Sequence, residues 1–387
     1  MYRVVVSLLG AGLLVIAGCA APPPNAAARP ASASTDSAQA PAGARFYGQR
    51  PYGSEAEFNP FSTVVNEGFD QLSRADANRH VFSFNYHAAA TNVLHSALNP
   101  VRAWRGYGWS HWLHDEVLPI SGKASGGGQW VPAYELHVLG EGMTSVALQE
   151  WYADHGVPHP EFFGDLTNYT YGFINEMIEH PTGNGTNENA ATRLDIDDPL
   201  GLILWHFDGM RNLFGGSVRL TNWFPQATLT FPDRNLRDAT LQNATEVYMI
   251  RTKLPGTDTW RLMAIFGGAQ VIGLSRRMYA DRWLTVAAGE DPAENPVIDT
   301  VTGQETVLLQ PNYGAYFDRD GSLLASLVVR TERSERVILN VYPGVLQLGS
   351  LSPGLMAEFM KTGQLRVGIV SGFGLGIGTG PRVQPPP

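Results

Sequence analysis

SVRLTNWF, residues 217–224, is where the spacing of apolar residues along the chain changes. Before it, apolar residues recur at intervals of three and four. From about Gly216 onward they alternate, as in TWRLMAIF (259–266), RWLTVAA (282–288), ETVLLQP (305–311), SLLASLVVR (322–330) and ERVILNVY (335–342). A period of two places alternate side chains on opposite faces of a strand, so these runs predict antiparallel strands. FDRDGS (317–322) and RTERSER (330–336) join neighbouring runs and predict two hairpins. Asp318, Asp320 and Ser322 echo a calcium loop, but no glutamate closes the spacing, and a plain turn is the reading.

Upstream, helical spacing runs through 82–100, 101–119, 131–156 and 163–181, most of these segments ending at proline or glycine. A further helix is expected from Asp198, as cap, with Pro199 in its first turn. The segments 121–128 and 181–193 read as loops. The expected fold is therefore α+β: a polar-cored helical region, 45–215, followed by an antiparallel β region, 216–387, built as a sandwich or a small barrel. Strands as long as those in 259–278 also suit a barrel wall facing lipid. Long polar connections such as 288–304 break the alternation, and we read a soluble or interfacial sheet in preference. In the tail, Gly372, Gly374, Gly376, Gly378 and Gly380 alternate with Phe373, Leu375 and Ile377, which gives a bare face that another backbone can approach closely.

The first residues carry one positive charge, Arg3, then an apolar run from Val4 to Ala17 that is too short for a lasting membrane helix. This is a secretory signal, 1–18. Ile16, Ala17, Gly18 and Cys19 resemble the lipobox of bacterial lipoproteins, in which the cysteine becomes the acylated first residue. Cys19 is the single cysteine of the chain, so no intramolecular disulfide can form. The resemblance implies lipidation at Cys19, attachment to a membrane through it and, with Ala20 next, an outer-membrane address on the periplasmic face. Residues 19–44, rich in proline and alanine, read as a disordered tether spanning roughly 25 to 30 Å as a flexible coil.

The net charge is −9 and 27 residues are basic, with Lys123, Lys253 and Lys361 the lysines. An acidic body repels phosphate backbones and argues against a nucleic-acid partner.

All ten histidines lie between His80 and His206. In YELHVLGEGM (134–143), His137 and Glu141 stand one helical turn apart. Projected at 100° per residue, Glu135, Gly142, Gln149 and Ala153 form the water-facing stripe of that helix, and His137 and Glu141 fall outside it. They are expected to be a buried pair. His111 and His114 stand three apart, Asp115 and Glu116 are adjacent carboxylates, and Glu176 and His180 repeat the four-residue spacing in reverse. His87 and His95 stand too far apart along a helix to share a metal by themselves, and Pro158 interrupts the His155/His159 pair. No HExxH, CxxC, Gly-x-Ser-x-Gly or Ser-x-x-Lys motif occurs, which removes the commonest zinc-protease, redox and serine-hydrolase readings.

YGFINEMIEH (171–180), Asp197, Asp198 and HFDGMRNLFGG (206–216) resemble, in spacing, uncharacterised bacterial envelope proteins with polar helical cores. That resemblance implies envelope membership and no reaction. The leading expectation is a non-enzymatic envelope lipoprotein that binds or scaffolds and needs no cofactor. The alternative is an envelope hydrolase with a His/Glu pocket that could hold a metal. Glu141 or Glu176 would be its base and His137 or His114 the partner.

Overall fold

A computed structural model describes residues 44–74, 81–113, 117, 135–179, 187–231, 239–244, 247–292, 297–298, 305–306, 309–331 and 333–380. The signal segment, Cys19, His114, Asp115, Glu116, the loop 121–128 and His180 lie outside the described residues. The elements below belong to one compact unit, Arg45–Pro387.

The fold is α+β. The helices are α1 (Pro60–Gly68), α2 (Gln71–Arg74), α3 (Tyr86–Ala97), α4 (Pro100–Tyr107), α5 (Trp109–Trp112), α6 (Gly142–Asp154), α7 (Pro160–Glu179), α8 (Glu188–Thr192), α9 (Asp198–Trp205) and α10 (Asp208–Asn212). Local chemistry sets their ends. The Asn59 side chain accepts from Ser62 N while the Ser62 hydroxyl accepts from Asn59 N, and Pro60 opens α1. Asn85 and Asn187 cap α3 and α8. Gly108, at φ 105°, ends α4, which is why the helical spacing from 101 to 112 is divided between two short helices. π-Helical turns interrupt the series at Glu135–Glu141, Arg193–Asp197 and Leu213–Ser217. Helix α7 is central, packing against α6, α1 and α3.

Several local expectations change. Glu188–Asp197 is helical where a loop through 193 was expected. Asp198 makes no capping hydrogen bond, because the chain enters α9 directly from a π turn. The wheel drawn over 131–156 fails on two counts: the π turn at 135–141 shifts its phase, and helix α6 beyond it is enclosed on all sides, with every position from Gly142 to Gln149 buried. No water stripe runs along it.

The strands are β1 (Leu220–Asn222), β2 (Thr228–Phe231), β3 (Thr240–Gln242), β4 (Val247–Lys253), β5 (Trp260–Gly267), β6 (Gln270–Arg277), β7 (Arg282–Pro292), β8 (Val297–Ile298), β9 (Glu305–Thr306), β10 (Leu309–Arg319), β11 (Ser322–Arg330), β12 (Glu335–Val341), β13 (Gly354–Met360), β14 (Leu365–Val370) and β15 (Gly376–Thr379). Thirteen form one sheet in the order β1-β4-β5-β6-β7-β10-β11-β12-β13-β14-β15-β2-β3, and β8 and β9 pair separately. Both expected hairpins form, β10–β11 and β11–β12. Asp318 pairs with Arg251 and accepts from Gly321 N, so the calcium-like spacing is a plain turn.

This sheet is rolled into a barrel-like wall. Five residues, 223–227, link β1 at one end of the strand order to β2 near the other. Fully extended, that link spans at most about 20 Å, whereas the same strands laid flat would stand roughly 50 Å apart. Arg251 on β4 likewise reaches Asp318 on β10 at 3.1 Å across the concave face, although β5, β6 and β7 lie between them in the sheet. The seam closes on β15, which pairs parallel to β2. Here Gly376 and Gly378 present the bare face expected of the tail: a Cβ on Gly378 would lie 2.7 Å from Val367 O and 2.9 Å from Thr228 Cγ2. The extended run is shorter than expected, since Gly374 sits in a turn at φ 73°.

The helices cover the convex side of the seam. Leu229 and Leu241 pack with Leu72, Phe84, Val93 and Ile178, and Leu220, Tyr248 and Phe266 pack with Met143, Val146 and Trp205. The concave side encloses an apolar cluster around Trp223, Met263, Ile265 and Tyr316. Beside it lie the ion pairs Arg366–Glu358, Arg330–Asp291 and Arg251–Asp318.

Candidate functional site

His137 and Glu141 share the first π turn, which sets the imidazole above the carboxylate with Nδ1 2.6 Å from Oε1. The second π turn, Arg193–Asp197, aims Arg193 at the same carboxylate, and its Nη2 donates to both oxygens at 2.8 and 2.9 Å. Arg193 Nη1 donates to Asn175 Oδ1 at 2.6 Å and stands 3.5 Å from Glu176 Oε1, both on α7. Its Nε lies 3.7 Å from Asp198 Oδ1. Gly172 leaves room for that aspartate, since a Cβ there would lie 2.9 Å from Asp198 Oδ2. The network continues into the sheet. Asn222 on β1 donates to Glu67 of α1 at 3.2 Å and to Thr144 at 3.3 Å, and Thr144 meets the Tyr248 hydroxyl at 2.9 Å.

Three of the four residues expected to carry chemistry thus converge, His137, Glu141 and Glu176, and His114 lies outside the described residues. The expectation missed Arg193, the group they converge on, which a lone arginine in an apparent loop did not advertise. It also missed Asp198 as a member, having read it as a cap.

Burial sets the charges. Glu141, Glu176, Arg193 and Asp198 are each at most 2% exposed, and the His137 side chain is 11% exposed. Burial pushes the Glu141 carboxyl up, but the charges of Arg193 and His137 and the hydrogen bonds from both outweigh it and hold the group down at about 2. Burial dominates at Glu176, reinforced by Glu179, and lifts it to about 8. At Asp198 burial wins over Arg193 and lifts the carboxyl to about 7. For His137, burial and Arg193 press downward, yet Glu141 raises its affinity for a proton overall. The centre is therefore a fixed guanidinium and an imidazole facing one ionised carboxylate, with two carboxyls that keep their protons near neutrality.

His137, Glu141 and Asp198 bring three ligand atoms within 4.8 Å of one another. The Arg193 guanidinium takes both oxygens of Glu141, and Glu141 takes His137 Nδ1, so an ion shared by all three would compete with these hydrogen bonds for Glu141. A carboxylate-oriented imidazole can act as a base, but among the described residues the one hydrogen bond of His137 is to Glu141. A cleft of about 860 Å³ lies elsewhere, lined by Tyr47, Phe58, Phe61, Trp151, Tyr152 and Phe373.

No family model, no curated protein and no solved structure matches this chain.

Proposed function

We propose that this chain is a non-enzymatic outer-membrane protein, attached by acylated Cys19 and also by its rolled sheet, with the helices as a rigid binding or scaffolding body. The observation that carries the reading is the outward face of the wall. Leu262, Ile272, Leu274, Val286, Tyr313, Leu365, Val367, Ile369 and Ile377 are exposed on the convex side. The register joins them into continuous rows, such as Leu262↔Leu274↔Val286↔Ala315. The alternate positions, Ser275, Thr285, Asn312, Glu358 and Arg366, are buried on the concave side. Exposed apolar rows backed at these positions by buried polar and charged side chains suit a wall in lipid, while an apolar cluster around Trp223 and Tyr316 fills another part of the concave side. The eleven-residue strands β7 and β10 have the length such a wall needs. No helix among the described residues is long and apolar enough to cross a membrane.

The first five residues of the polar stretch 288–304, which from sequence favoured a soluble sheet, belong to β7 itself and pair in register with β10. The hydrolase alternative rests on the His137–Glu141 pair. The guanidinium filling its centre and the burial of its carboxylates favour a structural role instead.

Replacing Cys19 by serine tests attachment. A tether-only protein is released into the soluble fraction. We expect the variant to stay with the membrane through an alkaline wash, and release would overturn the lipid-facing wall.

A further inference from the structure

Three arginines converge on one indole at the concave mouth of the wall. The guanidinium carbons of Arg251, Arg261 and Arg277 lie 5.3, 5.1 and 5.3 Å from the Trp283 ring centroid. The register places all four side chains on the concave face, Arg277 opposite Trp283 and Arg261 opposite the buried Ser275. Stacking on one ring holds each guanidinium plane in place, yet it also brings like charges together, which costs free energy unless an anion answers them.

The protein supplies two partial answers, Asp318 and the exposed Asp258, whose carboxyl is held down by Lys253 and, more weakly, by the charges of Arg261 and Arg277. Asp318 pairs with Arg251. Arg277 donates to the Asp258 carbonyl, and Arg261 to the carbonyls of Asp258 and Trp260. The Asp258 carboxylate, 80% exposed, is engaged by Lys253 at 2.5 Å, and Asp281 pairs with Arg319. The Nε atoms of Arg251 and Arg277 are buried without a hydrogen-bond partner among the described residues. In a chain of net charge −9, this is a local excess of positive charge built on a rigid ring.

We propose that Arg251, Arg261 and Arg277 around Trp283 form a binding site for a phosphate group. Guanidinium forks match the oxygens of a phosphate in paired hydrogen bonds. The site opens beside the β4–β5 and β6–β7 turns, so the phosphate belongs either to a small solute entering the mouth or to a lipid headgroup at its rim. This inference does not depend on the lipid-facing wall.

The test titrates inorganic phosphate into the purified full chain at constant ionic strength, followed by calorimetry. Saturable binding is expected, and R261Q/R277Q should weaken it about tenfold or more. R276Q, the charge-matched control for R261Q alone, removes one positive charge from the convex face, where Arg276 stacks on Trp260, and should leave binding intact. Should the double variant not fold, R261Q alone, at a partly exposed position, must weaken binding several-fold. Vesicles of phosphatidylcholine with and without phosphatidylglycerol separate the sources: a preference for phosphatidylglycerol that R261Q/R277Q abolishes assigns the phosphate to lipid, and binding of free phosphate without that preference assigns it to a solute. Neither response in the parent, or equal weakening by R276Q, overturns the proposal.

Discussion

Arg193 is the one residue whose removal would leave Glu141, Glu176 and Asp198 without their shared buried cation, and the converse substitutions are equally informative. Glu141→Ala strands that cation and should cost about 3 to 5 kcal/mol in urea unfolding, whereas Glu141→Gln keeps shape and part of the hydrogen bonding and should cost less. Glu57 is a control: it is fully buried, neither oxygen has a hydrogen-bond partner among the described residues, and burial raises its carboxyl well above the ordinary value. Glu57→Gln should therefore change stability by less than about 1 kcal/mol or increase it. If Glu141→Gln and Glu57→Gln cost the same, the network is not organised by charge. The pH dependence follows from the same centre. Glu176 and Asp198 keep their protons in the folded state up to about 8 and 7, against ordinary values of 4.5 and 3.8. Over that interval the unfolded chain sheds protons that the folded chain retains, so stability falls as pH rises. His137 acts in the same direction, its contribution complete below its ordinary 6.5 and lost as pH rises through its elevated folded value. Glu141 acts oppositely, contributing above 4.5 and losing that contribution as pH falls toward about 2. The urea midpoint should decline between about pH 4.5 and 8, and Glu176→Gln should flatten that decline. His137, Glu141 and Glu176 were legible because four-residue spacings survive in one dimension. Arg193 was not, since Glu176 and Glu141 come from segments 17 and 52 residues away and no local pattern marks a cation that closes a network.

At the scale of elements, period-two alternation was legible from one strand to the next, because a sheet with two unlike faces writes its pattern directly into sequence. The π turns were not. An inserted residue leaves composition unchanged and shifts only the phase; the burial of Gly142 and Gln149, which the wheel put in water, comes from a helix enclosed on all sides from Gly142 to Gln149. The seam is the element most sensitive to one atom. Gly376 lies where a Cβ would stand 2.8 Å from Val370 Cγ2 and 2.9 Å from Ile369 O, whereas a Cβ on Gly372 would meet nothing within 4 Å. Gly376→Ala should loosen the β15–β2 pairing and destabilise by about 1 to 3 kcal/mol. Gly372→Ala should fall within about 0.5 kcal/mol of the parent. Equal thermal midpoints for the two variants would mean that the seam does not depend on close backbone approach.

Rolling belongs to the whole molecule and was open from sequence, where sandwich, soluble barrel and lipid-facing wall shared one alternation. The short link from β1 to β2 and the reach of Arg251 to Asp318 decide for a single curved wall. They also explain why one acidic chain can carry so many exposed apolar side chains: the ionic groups turn inward, into pairs such as Arg366–Glu358 and Arg330–Asp291. A face of this kind answers differently to charge at different heights. Val286 stands mid-strand on the convex side, between Leu274 and Ala315 in register, while Thr252 stands on the same side one residue from the end of β4. In lipid, Val286→Lys should destabilise the assembled protein by about 2 to 4 kcal/mol and Thr252→Lys by about 0 to 1. In water both positions are exposed, and neither lysine should cost more than about 0.5 kcal/mol. Unfolding the two variants from lipid vesicles with urea distinguishes these cases, because only an apolar surrounding makes the cost of a lysine depend on its depth. Equal small losses at both positions would return the sheet to solvent.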